Sequence, residues 1–143
     1  MEFTWLVFAL LSGVTAALVA IFGKMGLEGI DANTATMIRA GIMFSVLILV
    51  VLFTDGMSNV SSVFSDKNAM FYIFLSGLAG AASWVFYFLA IKMGNVSQVV
   101  PIDRLSIVWA IIFAALILGE KIDQKVAFGV LLMAVGAIVV VLG

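Results

Sequence analysis

Residues Phe3 to Phe22 read FTWLVFALLSGVTAALVAIF, a run of twenty residues without a charged side chain. About 20 predominantly apolar residues in a helix are enough to cross the hydrocarbon core of a bilayer. Of the 143 residues in the whole chain, 65% are hydrophobic and only 10% are charged. Soluble domains carry roughly 45–50% apolar and about 25% charged residues, so the composition predicts an integral membrane protein.

Four further apolar segments follow the first, and together they predict an all-α membrane protein with five transmembrane helices in a single domain, residues 1–143. The approximate helices cover residues 3–23, 33–53, 69–91, 96–119 and 125–143. Short connections indicate that consecutive helices pack antiparallel as a bundle. The longest connection, residues 54–68, is rich in Asp, Ser, Asn and Gly, and we expect a loop whose apolar side chains rest on the lipid surface.

Two of these helices must include charged residues if they are to be long enough to span the membrane. The second and fourth helices reach spanning length only when extended towards the N-terminus, which includes Arg39 in one and Asp103 and Arg104 in the other. We expect Arg39 and Asp103 roughly 6 Å from the centres of their helices. Charges at such depth usually face the bundle interior or a water-filled cavity.

These charges have a functional interpretation and two structural ones. The functional interpretation is an anion or zwitterion site, with Arg39 or Arg104 as the counter-charge and Asp103 as a proton or cation relay. Alternatively, Asp103 pairs with an arginine and holds helices in register, or Arg104 extends its side chain to the interface.

Pro101 falls in the first two turns of the fourth helix. A proline there leaves one carbonyl without its helical donor and bends the helix, which would expose backbone beside Asp103. The alternative is an ordinary proline in a first turn, which bends nothing.

An aromatic face on the third helix is the second candidate for substrate contact. The spacing i, i+3, i+4, i+7 places four residues on one side of the helix, namely Trp84, Tyr87, Phe88 and Ile91. Ser83 adjoins this face on a more polar edge. An aromatic wall near a buried charge suits an organic ion. Each ring could equally pack against another helix or against lipid.

Several classes of function find no support in the residues. The chain has no Cys and no His, which removes thiolate chemistry and the commonest zinc ligands. A net charge of −1 gives no reason to expect nucleic acid. No phosphate-binding loop, pair of catalytic carboxylates or nucleophile–base arrangement is found, so we predict neither an enzyme nor a cofactor.

The positive charges are nearly balanced across the membrane. One side, called side A, has three lysines, and the opposite side B has two lysines and two arginines near helix starts: Lys67, Lys121 and Lys125 against Lys24, Lys92, Arg39 and Arg104. The positive-inside rule therefore leaves the orientation poorly specified. Five helices inserted both ways round would pair as an antiparallel homodimer, which is an inverted repeat with a substrate site between the repeats.

Small residues on two helices are a further sign of close packing. Ser76, Gly77, Gly80 and Ala81 lie four apart in pairs, and Gly129 and Gly136 lie seven apart. Such faces let helix backbones approach, either within one chain, which we favour, or at a dimer seam.

The order of several motifs resembles the EamA-type domain of the drug/metabolite transporter superfamily. These are WVFYFLAI at residues 84–91, GNVSQVVPI at 94–102, LGEK at 118–121, and Gly129 with Gly136. The resemblance covers essentially the whole chain. It implies one half of a ten-helix transporter that exports or exchanges small organic metabolites by alternating access. An antiparallel homodimer in the inner membrane of a bacterial or archaeal cell would complete it.

Two departures from the family pattern concern charge. Asp103-Arg104 is more charge than two-domain members carry there, and the first helix lacks the membrane acid of the small multidrug-resistance relatives. Asp103 therefore becomes the candidate for proton or cation coupling, and Glu120 of the LGEK motif is expected to be structural or gating. The alternatives are a subunit of a heteromeric transporter and a membrane protein of structural or accessory role.

Overall fold

The computed structural model describes residues 4–54 and 56–143, and these form helices without any strand. In chain order the helices are α1 (Thr4–Gly26), α2 (Ala32–Phe53), α3 (Met57–Ser65), α4 (Lys67–Met93), α5 (Val96–Asp103), α6 (Ser106–Ile117) and α7 (Gln124–Leu142). Five stretches of the described residues are long and apolar enough to cross a membrane, with α5 and α6 together forming one of them, Val96–Ile117. The predicted all-α fold with five spanning helices is confirmed; the predicted start of the first helix at residue 3 lies outside the described residues.

Two details differ from the pattern expected from the sequence. Part of the connection between the second and third spans is helical, because Met57–Ser65 forms α3. The fourth span is not one continuous helix, because Arg104 and Leu105 form a turn between α5 and α6. The first of these findings, helix α3, corrects the expectation of a loop over residues 54–68.

The contacts divide the chain into two compact units. The first comprises Met1–Lys24 and Met93–Gly143, and the second comprises Met25–Lys92. Within the first unit, α5 and α6 both pack on α7. The Lys24 ammonium at the end of α1 donates a 2.8 Å hydrogen bond to the carbonyl of Gly94, just before α5. Within the second unit, Lys92 in the last turn of α4 donates a 2.8 Å hydrogen bond to the carbonyl of Ile30, just before α2.

Most large apolar side chains point away from the chain's own core. Phe86 is 71% exposed and Leu116 is 78% exposed. Among the described residues, the buried apolar side chains are few: Ala20, Leu27, Ala32, Phe88, Ile91 and Ala137. Soluble monomers rarely expose continuous apolar patches above a few hundred Å². This surface therefore suits lipid or the helices of another membrane chain.

The start of α2 is fixed by a side-chain cap. Asp31 Oδ2 accepts a hydrogen bond from the backbone N–H of Thr34 at 2.8 Å and one from the Thr34 hydroxyl at 3.0 Å. A carboxylate at this position satisfies an N–H that the first helical turn leaves unpaired. These bonds, led by that from the Thr34 backbone and helped by the charge of Lys92, hold the pKa of Asp31 below its ordinary value.

Candidate substrate site

Arg39 lies against the face of an aromatic ring from α4. Its guanidinium carbon is 3.6 Å from the centroid of the Trp84 ring and 5.2 Å from that of Phe88. Arg39 is the eighth of the 22 residues of α2, and at 1.5 Å of rise per residue it lies about 5 Å from the middle of the helix. The structure thus brings together one of the charges and the aromatic face that the sequence singled out.

The ring under Arg39 belongs to a cluster that the helical repeat of α4 builds. Trp84, Tyr87 and Phe88 stand three and four residues apart, so their side chains share a face. Their ring centroids are 5.7 Å apart in each pair, with Tyr87 edge-on to both neighbours. Phe88 is buried, whereas Trp84 and Tyr87 are half-buried. The cluster is therefore anchored by Phe88, and Trp84 and Tyr87 are its less buried members.

The Arg39 guanidinium contacts aromatic rings but has no acidic partner in the described part of its own unit. Within the described part of its own unit, residues 25–54 and 56–92, no carboxylate lies within 4.0 Å of it. No buried side-chain nitrogen or oxygen of the described residues is left without a hydrogen bond. The same part of the chain supplies no hydrogen-bond acceptor to Arg39, whose side chain is half-buried. A guanidinium stacked on a ring by its face keeps its edge free for a carboxylate or phosphate.

Asp103 and Pro101 lie at the end of a short helix in the other unit. Pro101 is inside α5, which ends two residues later at Asp103. The N–H groups of Leu105, Ile107 and Val108 donate to carbonyls three residues back rather than four, at 2.9 to 3.1 Å. This tighter turn interrupts the spanning helix about 3 Å from the middle of Val96–Ile117. The interruption therefore follows Pro101 and falls beside the half-buried Asp103.

The turn is bordered by an open groove between α5 and α7. Its volume is about 220 Å³, and its lining is mostly apolar: Pro101, Arg104, Met133, Gly136, Ala137 and Val140. Arg104 is exposed, and it contributes the basic side chain of this groove. A Cβ added to Gly136 would meet no atom within 4 Å, so this glycine leaves space rather than permitting a close helix contact. Arg104 accordingly borders open space, as a residue that binds a ligand or reaches the interface would.

Ser83 and Glu120, the remaining predicted site residues, are exposed. Ser83 precedes Trp84 on α4 but lies outside the ring cluster. Glu120 follows α6, where Gly119 adopts a φ of +69°. The backbone N–H groups of Leu118 and Glu120 both donate to the carbonyl of Ala114, at 3.1 and 3.2 Å. A glycine in the left-handed region is a common helix ending, so the backbone at Glu120 contributes to the end of the fourth span.

Two residues have local roles that the sequence interpretation did not assign to them. Lys92 was treated only as a loop charge, although it holds the chain before α2 through Ile30. Gly136 was treated as a packing residue, although it opens the groove at Arg104. In the described residues no group of three or more Asp and Glu side chains has the arrangement that could hold a metal ion.

Fold and site together define a multi-pass membrane protein in which an arginine of one spanning helix, Arg39, lies against an aromatic face of another. Residues 3–142 match the EamA-like transporter family, and the chain belongs to that family. The chain is similar to a protein of Sinorhizobium sp described as an uncharacterized transporter in the cobO 3′ region. The two are 39% identical over 138 residues, which is 96% of each chain. No solved structure matches the chain.

Proposed function

We propose that this chain is one half of a transporter for small organic metabolites and that Arg39 binds an anionic group of the substrate. The observation that carries the proposal is the Arg39 guanidinium carbon 3.6 Å from the centroid of the Trp84 ring, about 5 Å from the middle of a spanning helix and without a carboxylate of its own described unit within 4.0 Å. Charges within spanning helices are costly and usually serve a substrate or ion pathway. The substrate class that fits is an organic anion or zwitterion with an apolar or aromatic part for the half-buried ring of Trp84.

The working unit is an antiparallel homodimer that operates by alternating access, in the inner membrane of a bacterial or archaeal cell. Balanced loop charges and an odd number of spans support this arrangement. The glycines at positions 77, 80, 129 and 136 support it too, because a Cβ at any of them would meet nothing within 4 Å in its own chain. Faces that let backbones approach, yet are unused within the chain, are suited to a second copy. The Sinorhizobium relative, a named transporter, has 96% of its length matched.

Asp103 couples the transport cycle to protons or another cation in this proposal. It is half-buried in a spanning segment, and the chain beside it has left the regular helix. Irregular backbone within a membrane is tolerated where it is buried in protein or lines a cavity. An acid there can change its protonation or bind a cation as the site opens to either side.

The test is release of metabolites from proteoliposomes loaded with a mixture of organic acids, amino acids and amines, measured by mass spectrometry. We expect selective release of anionic or zwitterionic compounds. Arg39→Gln should slow it by about tenfold or more, the scale of a lost charge-assisted pair, and Arg39→Lys should retain part of it. Glu28→Gln, in the exposed turn between α1 and α2, is a control that removes a charge without changing the number of basic residues on either side, and it should change little. Release no faster than from protein-free vesicles loaded with the same mixture would support a structural or accessory role instead.

Coupling is tested in the same vesicles with Asp103→Asn. Transport by the wild-type chain should respond to an imposed pH or cation gradient, whereas the variant should exchange substrate without responding to either gradient. A variant that keeps the full response would remove Asp103 from the coupling step. A wild-type chain that is inactive alone but active with a second half-size protein would identify it as a subunit of a heteromeric transporter.

A further inference from the structure

The short helix α3 separates apolar from polar side chains completely. At 100° per residue its four apolar residues fall within an arc of about 120°, and its five polar residues occupy the opposite side. The apolar set is Met57, Val60, Val63 and Phe64, and the polar set is Ser58, Asn59, Ser61, Ser62 and Ser65. Phe64 is 68% exposed and Met57 is 55% exposed, so the apolar face is open in the chain itself.

The two ends of α3 are tied closely to membrane-spanning helices. Only residues 54–56 separate it from α2, and three residues reach at most about 10 Å. At this corner the Gly56 N–H donates to the carbonyl of Val51 at 3.0 Å, and a Cβ on Gly56 would lie 3.2 Å from Val51 Cγ1. The corner therefore has room for glycine but little more, and α3 is held near the end of the span.

Asp66 alone joins α3 to α4. Its N–H donates to the carbonyls of Ser62 and Val63, which completes the last turn of α3. Its Oδ1 accepts hydrogen bonds from the N–H groups of Asn68 and Ala69, each at 3.0 Å, which caps the first turn of α4. One residue thus ends α3 and begins α4, so α3 lies at the side A ends of two helices that are long and apolar enough to span the membrane.

We propose that α3 is an interfacial helix whose apolar face inserts into the boundary between lipid headgroups and acyl chains. A segment held at that level by two spans meets the membrane surface as its nearest partner, and its wide apolar arc fits that surface. No residue of Met57–Ser65 is charged. Binding therefore rests on apolar burial and does not require anionic lipid.

α3 also joins the ends of α2 and α4, the two helices that hold Arg39 on Trp84.

The experiment places a fluorescent reporter on each face of α3 in the full chain, which contains no native cysteine. Phe64→Cys and Ser62→Cys are each labelled with an environment-sensitive NBD group and reconstituted in phosphatidylcholine vesicles. Val63→Cys is a second reporter on the apolar face. Each variant must elute as the unlabelled wild-type chain does before its spectrum is used.

We expect lipid carrying a doxyl group near the headgroup to quench the label at position 64 at least about twofold more than the label at 62, because an interfacial helix buries one face by about 5–10 Å. Aqueous iodide should show the reverse order. Added salt or anionic lipid should leave both unchanged. Equal iodide quenching at 62, 63 and 64 would overturn the proposal, and so would a label at 64 shielded from both quenchers, since a protein would then cover the face. The outcome is independent of transport.

Discussion

At the scale of single residues, the account rests on how Arg39 is tolerated inside a membrane span. A charge at the centre of a spanning helix costs about 2.5–3.5 kcal/mol on insertion scales. Contact with a desolvated aromatic face returns about 2 kcal/mol. The stack on Trp84 therefore offsets much of the cost without occupying the N–H groups of Arg39. In the proposed function, this contact leaves Arg39 to pair with an anionic group of the substrate rather than with a carboxylate of the protein.

Replacing Trp84 with leucine tests whether the Trp84 ring stabilises Arg39 for substrate binding. The substitution keeps an apolar side chain but removes the ring face, and the loss of about 1–2 kcal/mol should weaken substrate affinity roughly 5- to 30-fold. Trp109→Leu is the matched control, because Trp109 stacks on Phe113 within α6 and is exposed. Affinity is measured in the vesicles that report Arg39→Gln. Equal losses in the two variants would show that the ring at 84 has no special role.

The sequence predicted the members of this site but not their contact. Residue depth along the helices placed Arg39 and Trp84 in the same half of the membrane, and spacing placed Trp84 with Tyr87 and Phe88. The contact between Arg39 and Trp84 depends on how α2 is rotated about its axis relative to α4. The spacing of apolar residues cannot predict this rotation, because both helices are apolar on most sides. For the same reason the sequence could not show which side chains lie against the Arg39 guanidinium.

At the scale of elements, the five spans were predictable because length and apolar content alone define them. The divided fourth span was indicated by Pro101, although the turn falls at Arg104 and Leu105. Helix α3 was missed because nine residues rich in serine and asparagine have the composition of a loop. Its two ends are instead fixed by Gly56 and Asp66, which act through tight contacts and hydrogen bonds.

The cap on α2 has a pH dependence whose sign follows from the lowered pKa of Asp31. Its ordinary pKa is 3.8, and the hydrogen bonds from Thr34 hold the folded value below that. The carboxylate thus stabilises the fold fully above pH 3.8 and loses this contribution as the pH falls through the lower, folded value. Thermal unfolding in detergent should show Asp31→Ala less stable than the wild-type chain near neutral pH, with the difference closing in acid. Asp31→Asn, which caps without titrating, should keep most of the stability throughout. A wild-type advantage over Asp31→Ala that persists undiminished in strong acid would contradict this cause.

Gly119 gives a second prediction about how an element ends. Its φ of +69° is in the left-handed region, where a side chain costs about 1–2 kcal/mol. Gly119→Ala should therefore lower the free energy of unfolding by about that amount. Gly13→Ala is the control, since Gly13 lies within α1 and an added Cβ meets nothing within 4 Å; it should leave the stability unchanged or raise it. Similar destabilisation by both substitutions would count against backbone strain as the cause.

At the scale of the whole molecule, the chain presents more apolar surface and more open glycine faces than it uses itself. Lipid can cover the apolar side chains, but the faces at Gly77 and Gly80 of α4 and at Gly129 and Gly136 of α7 suit another helix. In the proposed homodimer, a second copy in the opposite orientation supplies such helices and completes an inverted repeat. The central claim is therefore that this five-helix chain inserts both ways round and works as an antiparallel pair.

The most direct measurement is cysteine labelling of intact and permeabilised cells with a membrane-impermeant maleimide. Ser58→Cys on side A and Met93→Cys on side B each put one thiol into a chain that has none, without changing the loop charges. Both positions are exposed. Dual topology predicts that each variant labels to about one half in intact cells and fully after permeabilisation. Complete labelling at one position with none at the other would show a single orientation and would contradict the antiparallel homodimer.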